Sequence, residues 1–260
     1  MWLYPPSVVT QLMTEFFQQR MVKVMAVLKL LPSSIPFESR VEILHAYIDH
    51  DRSENQNYVR EIAVHRNRIF EDAMGSILQM SNMKHRLHVQ FINEFGEVEM
   101  GIDSGGLFKE FWTTLSAEAF NPSYGLFKLT EDQNLYPNPD SEIYCGSEHL
   151  AMFYFLGRVL GKAIYENIVV DPFFAEFFLR KMLGHLNFAG DIYSLDRELY
   201  NSLQSLKKYD GDAQDLCLCF SVTAPDGSEI DLIENGSNVE VTNENKFKYI
   251  YYMANYRLNV

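Results

Sequence analysis

The chain has 260 residues, 47% of them apolar, with 22 basic and 35 acidic side chains and a net charge of −13. An apolar share this high excludes a disordered chain, and 19 Phe and 15 Tyr suffice for a packed core. The acidity argues against nucleic acid or an anionic membrane surface as the main ligand, because both require clustered Lys and Arg.

Ser7 is placed to cap a helix running to about Leu30, with apolar residues recurring every three to five positions, and Pro32 ends it. Arg40 to Ile48 reads as a second short helix, and the polar run 49–58 as a loop. Val59 to His65 is strand-like, and a helix follows from Ile69 to about Met80. Leu87, Val89 and Phe91 alternate with polar residues as a strand does. Gly101 to Gly106 forms a turn into a helix from Leu107 to Phe120. Short strands are expected at Leu126–Leu129 and Asn134–Tyr136.

Ser147 is placed to cap a long apolar helix ending near Glu166. Asp171-Pro172 has the cap and first-turn proline of another, which Gly184 stops. A helix follows Asp196 and ends at Lys208. Leu216, Leu218 and Phe220 alternate as a strand, with turns at Pro225-Asp226-Gly227 and Glu234-Asn235-Gly236. The run Thr242 to Asn245 caps a last helix ending near Leu258. The fold class is α+β, mostly helical, with short hairpins and a smaller subdomain from about 173 to 243.

Few patterns carry chemistry. Gly101-x-x-x-Gly105-Gly106 lacks the Gly-Lys-Ser/Thr ending of a phosphate loop. The histidines have no metal-binding spacing, and no Ser stands in G-x-S-x-G. Cys145, Cys217 and Cys219 are too few for a disulfide framework, and the last two are not spaced as C-x-x-C. They read as buried free thiols of a reducing, intracellular compartment. No basic segment precedes an apolar stretch at the N-terminus, so no signal peptide is expected. The run Met21 to Leu31 is too short to span a bilayer. Neither a cofactor nor a metal is expected.

The segment from Leu199 to Tyr209 is more informative. On a helix, Leu199, Leu203 and Leu206 form one stripe, and Lys207 and Lys208 fall at its C-terminus. Spacing alone is satisfied by a stripe packed on the body with solvated acids around it. The charge adds a second reading. Residues 1–130 carry net −3 and residues 131–260 net −10, while His185 to Asn245 holds 12 acidic and 3 basic residues among many apolar ones. An apolar groove rimmed by acids suits a partner offering an aromatic or aliphatic anchor flanked by Lys and Arg.

Several long motifs then occur in order. They are Arg68-Ile69-Phe70-Glu71-Asp72-Ala73, Gly101-Ile102-Asp103-Ser104-Gly105-Gly106-Leu107-Phe108-Lys109-Glu110-Phe111, and Leu135-Tyr136-Pro137-Asn138-Pro139. Phe155-Leu156-Gly157-Arg158 with Leu160-Gly161-Lys162-Ala163-Ile164-Tyr165-Glu166 follows, then Val241-Thr242-Asn243-Glu244-Asn245-Lys246 and Tyr256-Arg257-Leu258-Asn259. Together they resemble the HECT domain of ubiquitin ligases from about residue 58 to 260. The preceding Ile35-Pro36-Phe37-Glu38-Ser39-Arg40-Val41 resembles the segment just upstream of that domain in the ligases named E-three-B and E-three-C and similar plant ligases.

The resemblance implies an upstream helical segment (1–57) and a HECT N-terminal lobe (58–260). Within that lobe it implies a large subdomain (58–172 and 244–260) and a small docking subdomain (173–243). The family's N-terminal lobe docks a ubiquitin-charged conjugating enzyme. Its C-terminal lobe carries the cysteine that accepts ubiquitin as a thioester and passes it to a lysine of a protein substrate. That lobe is expected to be absent from this chain, because none of the three cysteines has the family's Thr-Cys-Phe context, so no catalytic residue is assigned and the chain alone is expected to be inactive. By motif, Leu199, Ser202, Leu203, Leu206 and Tyr209 match the family's groove helix. Asp215, Leu216 and Leu218 match the loop and strand after it, and Tyr249 stands where some members have a groove phenylalanine. The implied partners are a ubiquitin-conjugating enzyme, with its loop aromatic and basic first helix, ubiquitin, and a protein substrate. A non-catalytic truncated module that sequesters conjugating enzymes is the alternative reading.

Overall fold

The computed structural model describes residues 22–55, 58–99, 106–224 and 227–259. The expected helix start at Ser7, the Gly101–Gly105 part of the glycine turn, and Pro225-Asp226 lie outside them. The chain forms two compact units. One takes in the residues up to Ser116 together with Ala151–Val170, and the other Ala117–Leu150 together with Asp171 onward.

The first unit begins with helices α1 (Val22–Leu30) and α2 (Phe37–Asn55). Strand β1 (Val59–His65), helix α3 (Ile69–Leu78) and strand β2 (Arg86–Ile92) follow. The strands pair in parallel, from Val59↔Arg86 to His65↔Ile92. Alternation buries Ile62, Val64, Leu87, Val89 and Phe91 on one face. The strand-to-helix corner is fixed by Asp72, whose Oδ2 accepts the His65 backbone N–H at 2.8 Å and lies 2.7 Å from His65 Nδ1. Helix α4 (Gly106–Ala119) contributes Phe111, Trp112 and Leu115 to this unit's core. Helix α6 (His149–Tyr165) sets Phe155 edge-on to Phe70, with ring centroids 5.4 Å apart.

Polar links close this unit. Arg158 donates to the Leu78 and Met80 carbonyls, which the end of α3 leaves unpaired. Lys162, its side chain fully buried, reaches Glu166 Oε1 at 2.6 Å and the His85 carbonyl at 2.8 Å. Burial pulls the Lys162 pKa down, and Glu166 opposes the shift. The expected loop at 49–58 is instead the last part of α2, as far as Asn55. Its polar residues are held in helical form by tertiary partners. Arg52 donates to the Tyr165 carbonyl and to Glu166 Oε2, and Asp51 accepts from Lys84 at 2.6 Å and from the Tyr165 hydroxyl at 2.9 Å.

The second unit carries a hairpin of β3 (Phe127–Leu129) and β4 (Leu135–Pro137), the short helix α5 (Ser141–Cys145), and helix α7 (Glu176–Met182). Two expected helix starts shift. Ser147 lies in a 3₁₀ turn before α6, and α7 begins after Ala175 rather than at Asp171. The stretch at 173–175 instead lies alongside β4: Leu135 N–H donates to the Phe173 carbonyl and Ala175 N–H to the Leu135 carbonyl. That pairing packs the Phe174 ring edge-on to Phe120 and Phe178.

Then come a 3₁₀ segment (Ala189–Ser194), helix α8 (Arg197–Lys207), strands β5 (Ser221–Thr223) and β6 (Glu229–Asp231), and helix α9 (Lys246–Asn259). The expected strand from Leu216 to Phe220 is a correction. Residues Ala213–Leu216 form a 3₁₀ turn capped by Asp212, and Cys217 is left-handed at φ 51°. Only Cys219 keeps strand-like pairing, with Glu240. The Asn235-Gly236 turn leads into a 3₁₀ segment, while the β5–β6 hairpin closes between Ala224 and Ser228. Gly236 is required there by space: a Cβ would stand 2.1 Å from the Phe220 carbonyl oxygen.

The core of this unit gathers Phe177, Ile192, Leu203, Leu206, Phe220, Val241, Tyr249, Ile250 and Met253. No helix among the described residues is long and apolar enough to cross a membrane.

The Asp51 link makes a testable statement. Lys84 foremost holds the Asp51 carboxyl below its usual range, against the opposing effect of burial and with help from the Tyr165 hydroxyl. The folded pKa is therefore lower than the unfolded one. The link contributes fully above about pH 4 and is lost as pH falls through the lowered value. Urea titrations below pH 4 are expected to show stability falling more steeply in the wild type than in Asp51→Asn.

Candidate functional site

Helix α8 starts at Asp196, whose side chain accepts the Leu199 N–H at 2.8 Å, and Arg257 pairs with the same carboxylate at 3.2 Å. The helix is divided lengthwise. Leu203 and Leu206 are buried, with Leu199 and Tyr200 half-buried against the same core. Glu198, Ser202, Ser205 and Tyr209 follow one another at helical spacing on the other side. Ser202 Oγ donates back to the Glu198 carbonyl at 2.9 Å.

A groove of about 730 Å³ opens along that side. Its lining is Glu131, Glu198, Asn201, Ser202, Ser205, Leu206, Tyr209, Leu216 and Leu218. The apolar contribution comes from Leu206, Tyr209, Leu216 and Leu218. Leu216 keeps 39% of its surface exposed. The carboxylates come from Glu131 and Glu198, and neither has an ion-pair partner among the described residues.

Of the residues named from sequence, the structure brings Ser202, Leu206, Tyr209, Leu216 and Leu218 together on this groove. Leu199 packs half-buried on the core, and Asp215 is exposed on the 3₁₀ turn beside Leu216. Leu203 and Tyr249 lie beneath the groove surface, each only 6% exposed. The Tyr249 ring stands edge-on to Phe220 at 5.5 Å, and burial, with a smaller contribution from Cys219, raises its phenol pKa.

Glu131, Glu198, Asn201 and Ser205 were not expected. The last three are readable from the polar side of the α8 helical wheel. Glu131 is not, because it sits in the β3–β4 turn, far upstream in sequence. The neighbouring Asp132 brings it there by pairing with Arg197 at 2.7 Å across 65 residues.

The cysteines stand apart from this lining. Cys145 donates to the Tyr124 carbonyl at 3.3 Å, and burial pushes its thiol pKa up, opposite to the shift an attacking thiolate needs. Burial was expected for all three, but Cys145 and Cys219 are half-buried and Cys217 is exposed between Leu216 and Leu218.

The sequence profile described as HECT-domain (ubiquitin-transferase) matches residues 113–260, more than half of the chain. The chain belongs to the HECT-domain family. Human ubiquitin-protein ligase E3B is 38% identical over 252 residues, covering 90% of this chain and 23% of the relative. Arabidopsis thaliana E3 ubiquitin-protein ligase UPL6 is 40% identical over 237 residues, covering 88% and 23%. Saccharomyces cerevisiae E3 ubiquitin-protein ligase HUL5 is 36% identical over 256 residues, covering 88% and 28%. The chain thus spans about a quarter of the length of these relatives, and their similarity extends upstream of the stretch matched by the HECT profile.

The burial pattern separates support from surface in this HECT lobe. Truncating Leu203 to Ala is expected to cost about 2–5 kcal/mol and Tyr249 to Ala about 3–5 kcal/mol, since each opens a core cavity. Leu216→Ala, on the surface, is expected to cost under about 1 kcal/mol. Chemical denaturation of the three variants measures the ranking.

Proposed function

We propose that this groove docks a ubiquitin-charged conjugating enzyme. Ubiquitin then passes as a thioester to a cysteine outside this chain, and from there to a substrate lysine inside the cell. The observation that carries this reading is an apolar floor beside two carboxylates that have no ion-pair partner among the described residues, in a chain whose relatives are named ubiquitin ligases. An aromatic or aliphatic anchor fits Leu206, Tyr209, Leu216 and Leu218. Lys or Arg beside that anchor meets Glu131 and Glu198. Each well-buried anchor contributes about 1.5–3 kcal/mol, so a few anchors make a reversible contact suited to a carrier that leaves once discharged.

Titration calorimetry against a panel of ubiquitin-conjugating enzymes tests the reading. Leu216→Ala is expected to weaken binding by about tenfold, equal to about 1.4 kcal/mol. Raising salt from about 0.05 to 0.5 M is expected to weaken wild-type binding, and Glu131→Gln with Glu198→Gln to flatten that dependence. Wild-type affinity in both Leu216→Ala and Tyr209→Ala would overturn the assignment of the groove.

A further inference from the structure

We infer that Gly211, which lies outside the groove lining, is a positioning residue for docking, because its missing side chain is what lets the Tyr209 ring stand as a wall of the groove. The inference rests on the docking role proposed above and names a residue that sets the shape of that site.

Tyr209 follows the end of α8, its N–H donating to the Leu206 carbonyl at 3.2 Å. Its ring turns back over the main chain at Gly211. A Cβ added there would stand 2.7 Å from both Tyr209 Cζ and Oη and 2.9 Å from Cε1. Real side chains do not approach so closely, so ring and methyl cannot share the space. The requirement is one of room alone. Gly211 is not among the glycines with positive φ, so alanine is compatible with its backbone.

The main chain beneath the ring has little freedom to yield. Lys246, the buried first residue of α9, donates from Nζ to the Tyr209 carbonyl at 2.7 Å. Asn243 Nδ2 donates to the Gly211 carbonyl at 3.1 Å, and Asn243 Oδ1 accepts from the Ala213 N–H at 3.3 Å. Gln214 Nε2 reaches Glu240 Oε2 at 3.0 Å. The loop is thus fastened to the segment leading into α9 on both sides of Gly211. The far end of the tyrosine ring is the part able to move, and the open space beside it is the groove.

Alanine at 211 therefore drives the ring into the volume that an anchor side chain occupies. Binding suffers while the fold does not. This separates Gly211 from Leu203 and Tyr249, where truncation damages the core itself.

The experiment is a double-mutant cycle on the full chain with Gly211→Ala, Tyr209→Ala and the pair together, measured by calorimetry against a binding ubiquitin-conjugating enzyme. Gly211→Ala is expected to weaken binding by about tenfold and to move the melting temperature by less than about 2 °C. In the Tyr209→Ala background the same substitution is expected to add less than about twofold, because the clashing ring is gone. A full tenfold loss in that background as well, or no loss where Tyr209 is present, overturns the inference.

An NMR readout needs no partner. The Gly211 α-proton resonances are expected to be displaced by the Tyr209 ring current in the wild type and to return in Tyr209→Ala. Undisplaced resonances in the wild type refute the ring placement. If Leu216→Ala and Tyr209→Ala both bind as the wild type does, the docking reading fails, and the NMR signal still decides whether Gly211 holds the ring.

Discussion

Burial of Leu203 and Leu206 against the core that α9 completes is the constraint from which the groove follows. Those leucines fix the rotation of α8 about its own axis. Once that rotation is set, Glu198, Ser202, Ser205 and Tyr209 must face away from the core, where the groove opens. The edge-on contact of Phe220 with Tyr249 secures the layer below, and Leu218 and Leu216 emerge from the chain just before Phe220. Through Leu206 and Leu218 the apolar floor is continuous with the cluster that stabilises the unit. A partner's anchor would add to an existing core edge rather than rest on an isolated patch.

The groove's two kinds of chemistry have different ranges. Leu206, Tyr209, Leu216 and Leu218 act only at contact. Glu131 and Glu198 act over about a Debye length, roughly 8 Å at physiological salt, and would speed and orient the approach of a basic partner before any surface is buried. Arg197, next to Glu198 in the chain, is paired with Asp132, and its guanidinium lies over the Tyr193 ring at 5.2 Å.

Much of this was legible in the sequence because it depends on local rules. The leucine spacing of α8, its start after Asp196, the alternation of Leu87, Val89 and Phe91, and the run before α9 each report a regular element through its own period or its own end. The failures share one cause. Residues 49–55 read as loop because their helix is supported by Tyr165, Glu166 and Lys84, all distant in sequence. Asp171-Pro172 had the marks of a helix start, but the chain there runs on to pair with β4. Alternation at Leu216, Leu218 and Phe220 concealed a 3₁₀ turn and a left-handed Cys217. The division of Leu203 and Tyr249 from the groove lining is likewise a matter of depth, which a helical wheel does not contain.

The dependence of the groove on α9, which follows α8 in the chain, has a consequence for synthesis on the ribosome. Strands β1 and β2 are separated by about twenty residues, so they can pair soon after residue 92 emerges. The groove has no such early start. Its floor leans on Tyr249, and its Tyr209–Gly211 lip is tied to Asn243 and Lys246. A nascent chain that already contains all of α8 still lacks the α9 residues that this floor and lip lean on. Vectorial synthesis therefore sets an order: β1 and β2 can pair first, and the groove takes shape only once α9 has emerged.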